Sequence, residues 1–219
     1  MSKFVTVQAV VAVTLLGWLV SGVLQAQSKP PRVIATSDIL YPPASVGSGI
    51  VVFDVSIDDM GSLTGSSLIR DVPSLTGMAS DAIRSWRFAP ALDRGIPAPS
   101  ELRIAVVFRP PAYFVSEPTL ASVPPVETVN PDGTSILAPG ILSAAYPVFP
   151  IDARQAGTVV LQVGVHQNGE IAGLKVIRSA DPFTRPALAA VRRWRFEGTG
   201  RSTSSLAIAF AFTPPVNNR

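Results

Sequence analysis

Cysteine is absent from the 219 residues, so no disulfide staples any part of the fold. An exported form would therefore fold in an oxidising compartment without using that chemistry. Histidine occurs once, at His166 beside an Asn168-Gly169 turn. With no cysteine and no clustered carboxylates near it in sequence, it makes no metal site. No Gly-x-Ser-x-Gly pattern supplies a nucleophile for it to activate, and glycine-rich phosphate loops are missing. Asp58 and Asp59 are adjacent, so they point to opposite sides of a strand or into a turn, and they form no catalytic pair. The net charge of +3 is small and scattered, which excludes the basic footprint of a nucleic-acid binder. Its one local concentration, Arg192, Arg193, Arg195 and Arg201, solvates a helix end. No catalytic residue, no metal and no cofactor is expected.

What the chain does have is a repeat. Ala82-Ile83-Arg84-Ser85-Trp86-Arg87-Phe88 returns as Ala190-Val191-Arg192-Arg193-Trp194-Arg195-Phe196. At an offset of 108 positions, 15 of the 40 residues from Gly49 to Phe88 are identical without a gap, and the apolar positions agree better than the polar ones. Self-similarity of that kind predicts a duplicated fold. Outside this block the register slips: Phe108-Arg109-Pro110-Pro111 answers Phe212-Thr213-Pro214-Pro215, and Tyr41-Pro42 answers Tyr146-Pro147. Those slips belong in loops. Each unit is about 70 residues, a size at which burial is modest.

Residues 1–26 read as a signal peptide or a membrane anchor. The uncharged, mainly apolar run from Phe4 to Leu24 exceeds the roughly 7 to 15 residues of a secretory core and reaches the roughly 20 of a spanning helix. Ala26 offers a small residue at a cleavage point. Either outcome places the rest outside the cytoplasm.

Within residues 41–111, Val51, Phe53, Val55 and Ile57 alternate with Val52, Asp54, Ser56 and Asp58, the period of a strand with one face buried. Asp58-Asp59-Met60-Gly61 turns the chain, and Leu63 to Arg70 returns with a bulge expected near Gly65. Asp71 to Ser74 carries helix-start chemistry. Leu75, Ala79, Ala82, Ile83 and Trp86 then fall on one helical face, and Leu102 to Phe108 gives a third strand. Residues 112–145, with five prolines, read as a linker whose last part docks on the second unit.

Residues 146–215 repeat the pattern. Val159 to Val165 and Ile171 to Ser179 flank the Asn168-Gly169 hairpin. Asp181-Pro182 is expected to start a helix whose stripe is Phe183, Ala187, Ala190, Val191 and Trp194. Leu206, Ile208, Phe210 and Phe212 alternate in a final strand. Trp86, Phe88, Trp194 and Phe196 are expected core, each aromatic closing an apolar helix stripe. The expected class is α+β: two small repeated domains, each a three-stranded antiparallel sheet packed on one main helix (β-β-α-β), behind an N-terminal hydrophobic helix.

The order Tyr146-Pro147, Ala153-Arg154, Gly157-Thr158-Val159, Gly169, Ile177-Arg178-Ser179 and Val191-Arg192-Arg193-Trp194-Arg195-Phe196 resembles the C-terminal domain of the TonB family, across Tyr146 to Pro215 and more weakly across Tyr41 to Pro111. The resemblance implies a non-enzymatic envelope protein, on the periplasmic side, that couples inner-membrane energy to outer-membrane transporters and grips a transporter's N-terminal peptide as an added strand. A sheet with an unpaired edge suits that role. The last strand is the expected edge, so Leu206, Ile208, Phe210 and Phe212, with Tyr146 and Pro147 leading in, are the expected partner-binding residues. Other envelope proteins would be alternative partners, and the inner membrane would be one if the leader is retained.

Three features depart from the family pattern. Phe4 to Leu24 has no histidine, Ala144-Ala145 replaces the Gln-Pro before Tyr-Pro, and a long charged spacer is missing. They leave open an alternative, a periplasmic structural or self-association module in which edge strands pair domain to domain without energy transduction.

Overall fold

The structure is a computed structural model, and it describes residues 28–42, 47–109, 122–129, 135–200 and 203–213. The leader, residues 1–26, lies outside these. Among the described residues no helix is long and apolar enough to cross a membrane.

In chain order the elements are β1 (Arg32–Ala35), β2 (Gly49–Ile57), β3 (Leu63–Arg70), α1 (Pro73–Arg84), β4 (Arg87–Ala89), β5 (Ala91–Asp93), β6 (Ile96–Ala98) and β7 (Ser100–Arg109), followed by β8 (Val126–Val129), β9 (Ser135–Ala138), β10 (Gly140–Ser143), β11 (Gly157–Val165), β12 (Ile171–Arg178), α2 (Thr184–Val191), β13 (Arg195–Glu197) and β14 (Ser204–Phe212). The fold is α+β, mostly sheet with two helices.

The expected pair of separate three-stranded sheets is corrected by the topology. One six-stranded sheet runs β12-β11-β14-β7-β2-β3. Each outer trio is antiparallel, and the trios join where β14 and β7 pair in parallel, from Leu206 beside Arg103 to Phe212 beside Arg109. The reason is apolarity on both faces. All nine residues of β14 are buried, a composition that suits a strand covered above and below rather than a solvated edge.

One helix covers each face. Val51, Phe53, Val55, Leu102, Ile104 and Val106 pack with Leu75, Ala79 and Ile83 of α1, while Val159, Leu161, Val163, Ile208 and Phe210 pack with Ala187, Ala190 and Val191 of α2. Strand alternation sends neighbouring residues to opposite faces, so Ala207, Ala209 and Ala211 of β14 complete the α1-side core. Trp86 and Trp194, 2% and 1% exposed, and Phe88 and Phe196, 4% and 5% exposed, sit in the two cores.

The halves share details finer than their element order. Both hairpins bulge at equivalent places, Val52/Phe53 and Val160/Leu161, then Ser56/Ile57 and Gly164/Val165. Gly61 and Gly169 take φ of 84° and 88°. A Cβ there would stand 2.4 Å from the carbonyl oxygen of Phe88 or Phe196, so each turn needs glycine both for its dihedral and for close approach.

Helix starts differ from the expectation. Asp181 does not cap α2, which begins at Thr184 after a turn. Instead Thr184 Oγ1 accepts from Ala180 N–H at 3.0 Å and donates to Ala180 C=O at 3.1 Å. Thr76 does the same for Val72, at 3.0 and 3.1 Å.

The linker is more ordered than its prolines suggested. Val123 pairs with Ile141, β8 with β9, and β10 with β13 of the second unit. β1 pairs with β4 in the same register that β10 uses on β13, with the same bulge. The first unit's elements thus begin at Arg32, ahead of the expected start at Tyr41.

Candidate protein-binding edges

The residues expected to form the binding edge are not at an edge. Leu206, Ile208 and Phe210 are fully buried and Phe212 is 2% exposed. Their strand has β11 on one side and β7 on the other, so its backbone donors and acceptors are spent within the chain. Four alternating apolar residues on a terminal strand look the same whether the strand is an edge or a seam. The signal that separates them is the alanine series 207, 209 and 211, which keeps the opposite face apolar as well.

Tyr146 and Pro147 are drawn to the same seam. Tyr146 is 8% exposed, and the Arg109 guanidinium lies 5.7 Å from its ring centroid, within cation–π reach. Arg109 Nε also donates to the Pro147 carbonyl at 3.1 Å. The first Tyr-Pro arrives at the same strand end: Tyr41 packs edge-on against Phe108, with centroids 5.3 Å apart, and its hydroxyl donates to the Gly47 carbonyl. Burial pushes the Tyr41 hydroxyl well above its ordinary value, the neighbouring Tyr146 adds to the shift, and Arg109 opposes it. The two Tyr-Pro motifs therefore close one end of the β7–β14 seam.

Each half lends a segment to cover the other. On the sheet face away from α2, the second unit is roofed by the N-terminal lead. Val33 N–H donates to Gln162 Oε1 at 2.9 Å, Ile39 N–H to Thr158 Oγ1 at 2.9 Å, and Ser205 Oγ to the Pro31 carbonyl at 2.6 Å. On the face away from α1, the first unit is roofed by the linker. There Arg103 donates from Nη1 to the carbonyls of Pro124 and Pro139, at 2.7 and 2.9 Å. Asp54 stands at the position equivalent to Gln162, and Arg103 also holds its carboxylate. Sequence reasoning missed this network, since alternation alone put Asp54 on a solvated face.

Among the described residues, what remains open is the pair of outer strands, β3 and β12, each with a neighbour on one side only. Their side chains are largely exposed: Leu68, Ile69 and Val176 are 46%, 42% and 38% accessible. His166 is exposed at its turn. Among the described residues no group of His, Cys, Asp and Glu could hold a metal ion.

A three-stranded antiparallel trio with a helix on one face and a bare outer strand defines a small α+β module of the strand-pairing kind. Residues 143–214 match the family model described as the Gram-negative bacterial TonB protein C-terminal, so this segment of the chain is a TonB C-terminal domain. The match begins at the end of β10 and runs through β14, taking in α2 and the Trp194 core. Proteins of this family sit on the periplasmic side of the envelope and act in transport with outer-membrane transporters, through protein interaction and energy transduction rather than catalysis. No curated protein and no solved structure matches the chain significantly.

Proposed function

We propose that this is a non-enzymatic envelope protein of the TonB family that binds partner proteins by β-strand addition, at the outer strands of its sheet rather than at β14, in transport across the outer membrane. The observation that carries the reading is the sheet order, which consumes β14 and β7 in each other and leaves β3 and β12 with one free side each. An extended segment gains main-chain hydrogen bonds at such an edge. The duplicated fold, the units at 41–111 and 146–215, and an anchor or cleaved signal in residues 1–26 belong to the same proposal.

The test is hydrogen exchange of the full chain with and without a synthetic N-terminal peptide from an outer-membrane transporter. Expected is new protection of amides on β3 or β12. Unchanged exchange at both strands, together with no binding at any peptide concentration tried, overturns strand addition.

A second reading is favoured by the parallel β7–β14 pairing, which is edge-to-edge association of two units inside one chain. On that reading the protein is a structural or self-association module. Sedimentation of the exported portion separates the cases: a monomer at all concentrations means the pairing stays within the chain.

A further inference from the structure

Resting on the strand-addition reading, we propose that the two outer edges are not equivalent, and that the β12 edge, with β1 beside it, takes an extended acidic segment of a partner protein. A cleft of about 240 Å³ opens there, lined by Arg32, Val33 and Ile34 of β1 and by Lys175, Val176 and Ile177 of β12. It is smaller than the roughly 300–1,000 Å³ of small-molecule sites, which suits one or two side chains of a passing strand. Its rim is apolar and basic. Ile34 is 57% exposed and Val176 is 38% exposed, so both present free apolar surface.

The charge is what selects the occupant. Arg32 and Lys175 are exposed, and neither has an acidic partner among the described residues. The nearby cation, Arg178, is already held by Asp38, Nη2 to Oδ2 at 2.7 Å, and by the Thr36 carbonyl at 3.2 Å. That contact neutralises the acid of the N-terminal lead and fixes β1 alongside the edge, leaving two unanswered positive charges. The positions equivalent to Arg32 and Lys175 at the repeat offset are Gly140 and Ser67, which carry no charge. The two cations of the β12 edge thus have no charged counterpart at the equivalent positions of the other half, on backbones that match bulge for bulge.

Opposite charges flanking an added strand steer it and fix its register more than they add affinity. A carboxylate reaching one of these exposed cations gains about a two- to fivefold preference over its neutral twin. That preference depends on salt.

The experiment uses the full chain and two synthetic peptides of eight residues, the length of β12. Both alternate valine and threonine; one carries two glutamates and the other two glutamines. Fluorescence anisotropy at about 0.1 M and about 1 M salt, where the screening length falls from about 10 to about 3 Å, reports affinity. Hydrogen exchange reports which edge is covered. Expected is tighter binding of the glutamate peptide at low salt, protection on β12 and not β3, and loss of the preference at high salt. Lys175→Gln and Arg32→Gln, both at exposed positions, should each lower the ratio of glutamate-peptide to glutamine-peptide affinity. Equal binding of the two peptides, or protection confined to β3, overturns the acidic-segment assignment and leaves strand addition standing. Failure of both peptides to bind or protect either edge overturns both.

Discussion

Arg103 grips Asp54 at two points, Nε to Oδ1 at 2.8 Å and Nη2 to Oδ2 at 2.7 Å, with the arginine side chain wholly buried and the aspartate 7% exposed. The third donor, Nη1, holds two linker carbonyls, so one residue joins β7, β2 and the linker.

A buried pair is costly to break because the surviving charge keeps its desolvation penalty without its partner. Arg103→Met is expected to lose about 3–5 kcal/mol in denaturant unfolding. The double variant Arg103→Met with Asp54→Leu should recover most of that loss. A double variant no more stable than the single one would mean that the linker contacts, rather than the stranded charge, carry the cost.

Glu101 neighbours this pair across β2 and β7. Burial raises its carboxyl above the ordinary value, the Asp54 carboxylate adds to the shift, and Arg103 opposes it. The folded state thus holds this proton more tightly than the unfolded chain does, so Glu101 costs stability as pH rises through its folded value and costs none well below the ordinary carboxylate range. Glu101→Gln should therefore raise the Tm at neutral pH relative to the parent, with the difference vanishing in acid. A constant difference across the pH range would refute the assignment.

Equivalent tryptophans should respond unequally. Trp194 Nε1 donates to the Ala145 carbonyl at 3.0 Å, whereas Trp86 Nε1 is buried without a hydrogen-bond partner. Trp→Phe removes similar volume at both, but only at 194 does it break a hydrogen bond. Trp194→Phe should be the more destabilising by about 1 kcal/mol, read from paired urea titrations.

The seam makes a thermodynamic prediction. Ala207, Ala209 and Ala211 of the second unit are part of the α1-side core, and Ile50, Val52 and Val107 of the first are part of the α2-side core. Neither unit can lose its strands without exposing the other's core. Calorimetry of the exported portion should show one transition with matching calorimetric and van't Hoff enthalpies. Two separated transitions would mean that the units fold independently.

Much of the local structure could be read from residues alone. Alternating valines and leucines, turn glycines and the stripes ending in Trp86 and Trp194 specify strands, hairpins and amphipathic helices, because those patterns depend on short-range periodicity. Helix starts were less legible. Thr76 and Thr184 reach back to the chain before the helix, in the place where an aspartate cap was expected.

The candidate site was legible only as a kind of surface. The residues from Leu206 to Phe212 were recognisable as a buried-face strand, but whether that strand ends the sheet or sits in its middle depends on what lies beside it. Local pattern is silent on that point.

The sequence by itself determined the α+β elements and the internal repeat, since each follows from composition and spacing. Only the tertiary structure decided that β7 and β14 join two trios into one sheet, that the lead and the linker roof opposite faces, and that β3 and β12 are the outer strands among the described residues. Strand order is set by which apolar faces and unpaired backbones meet across more than a hundred residues, and no window of sequence contains both partners.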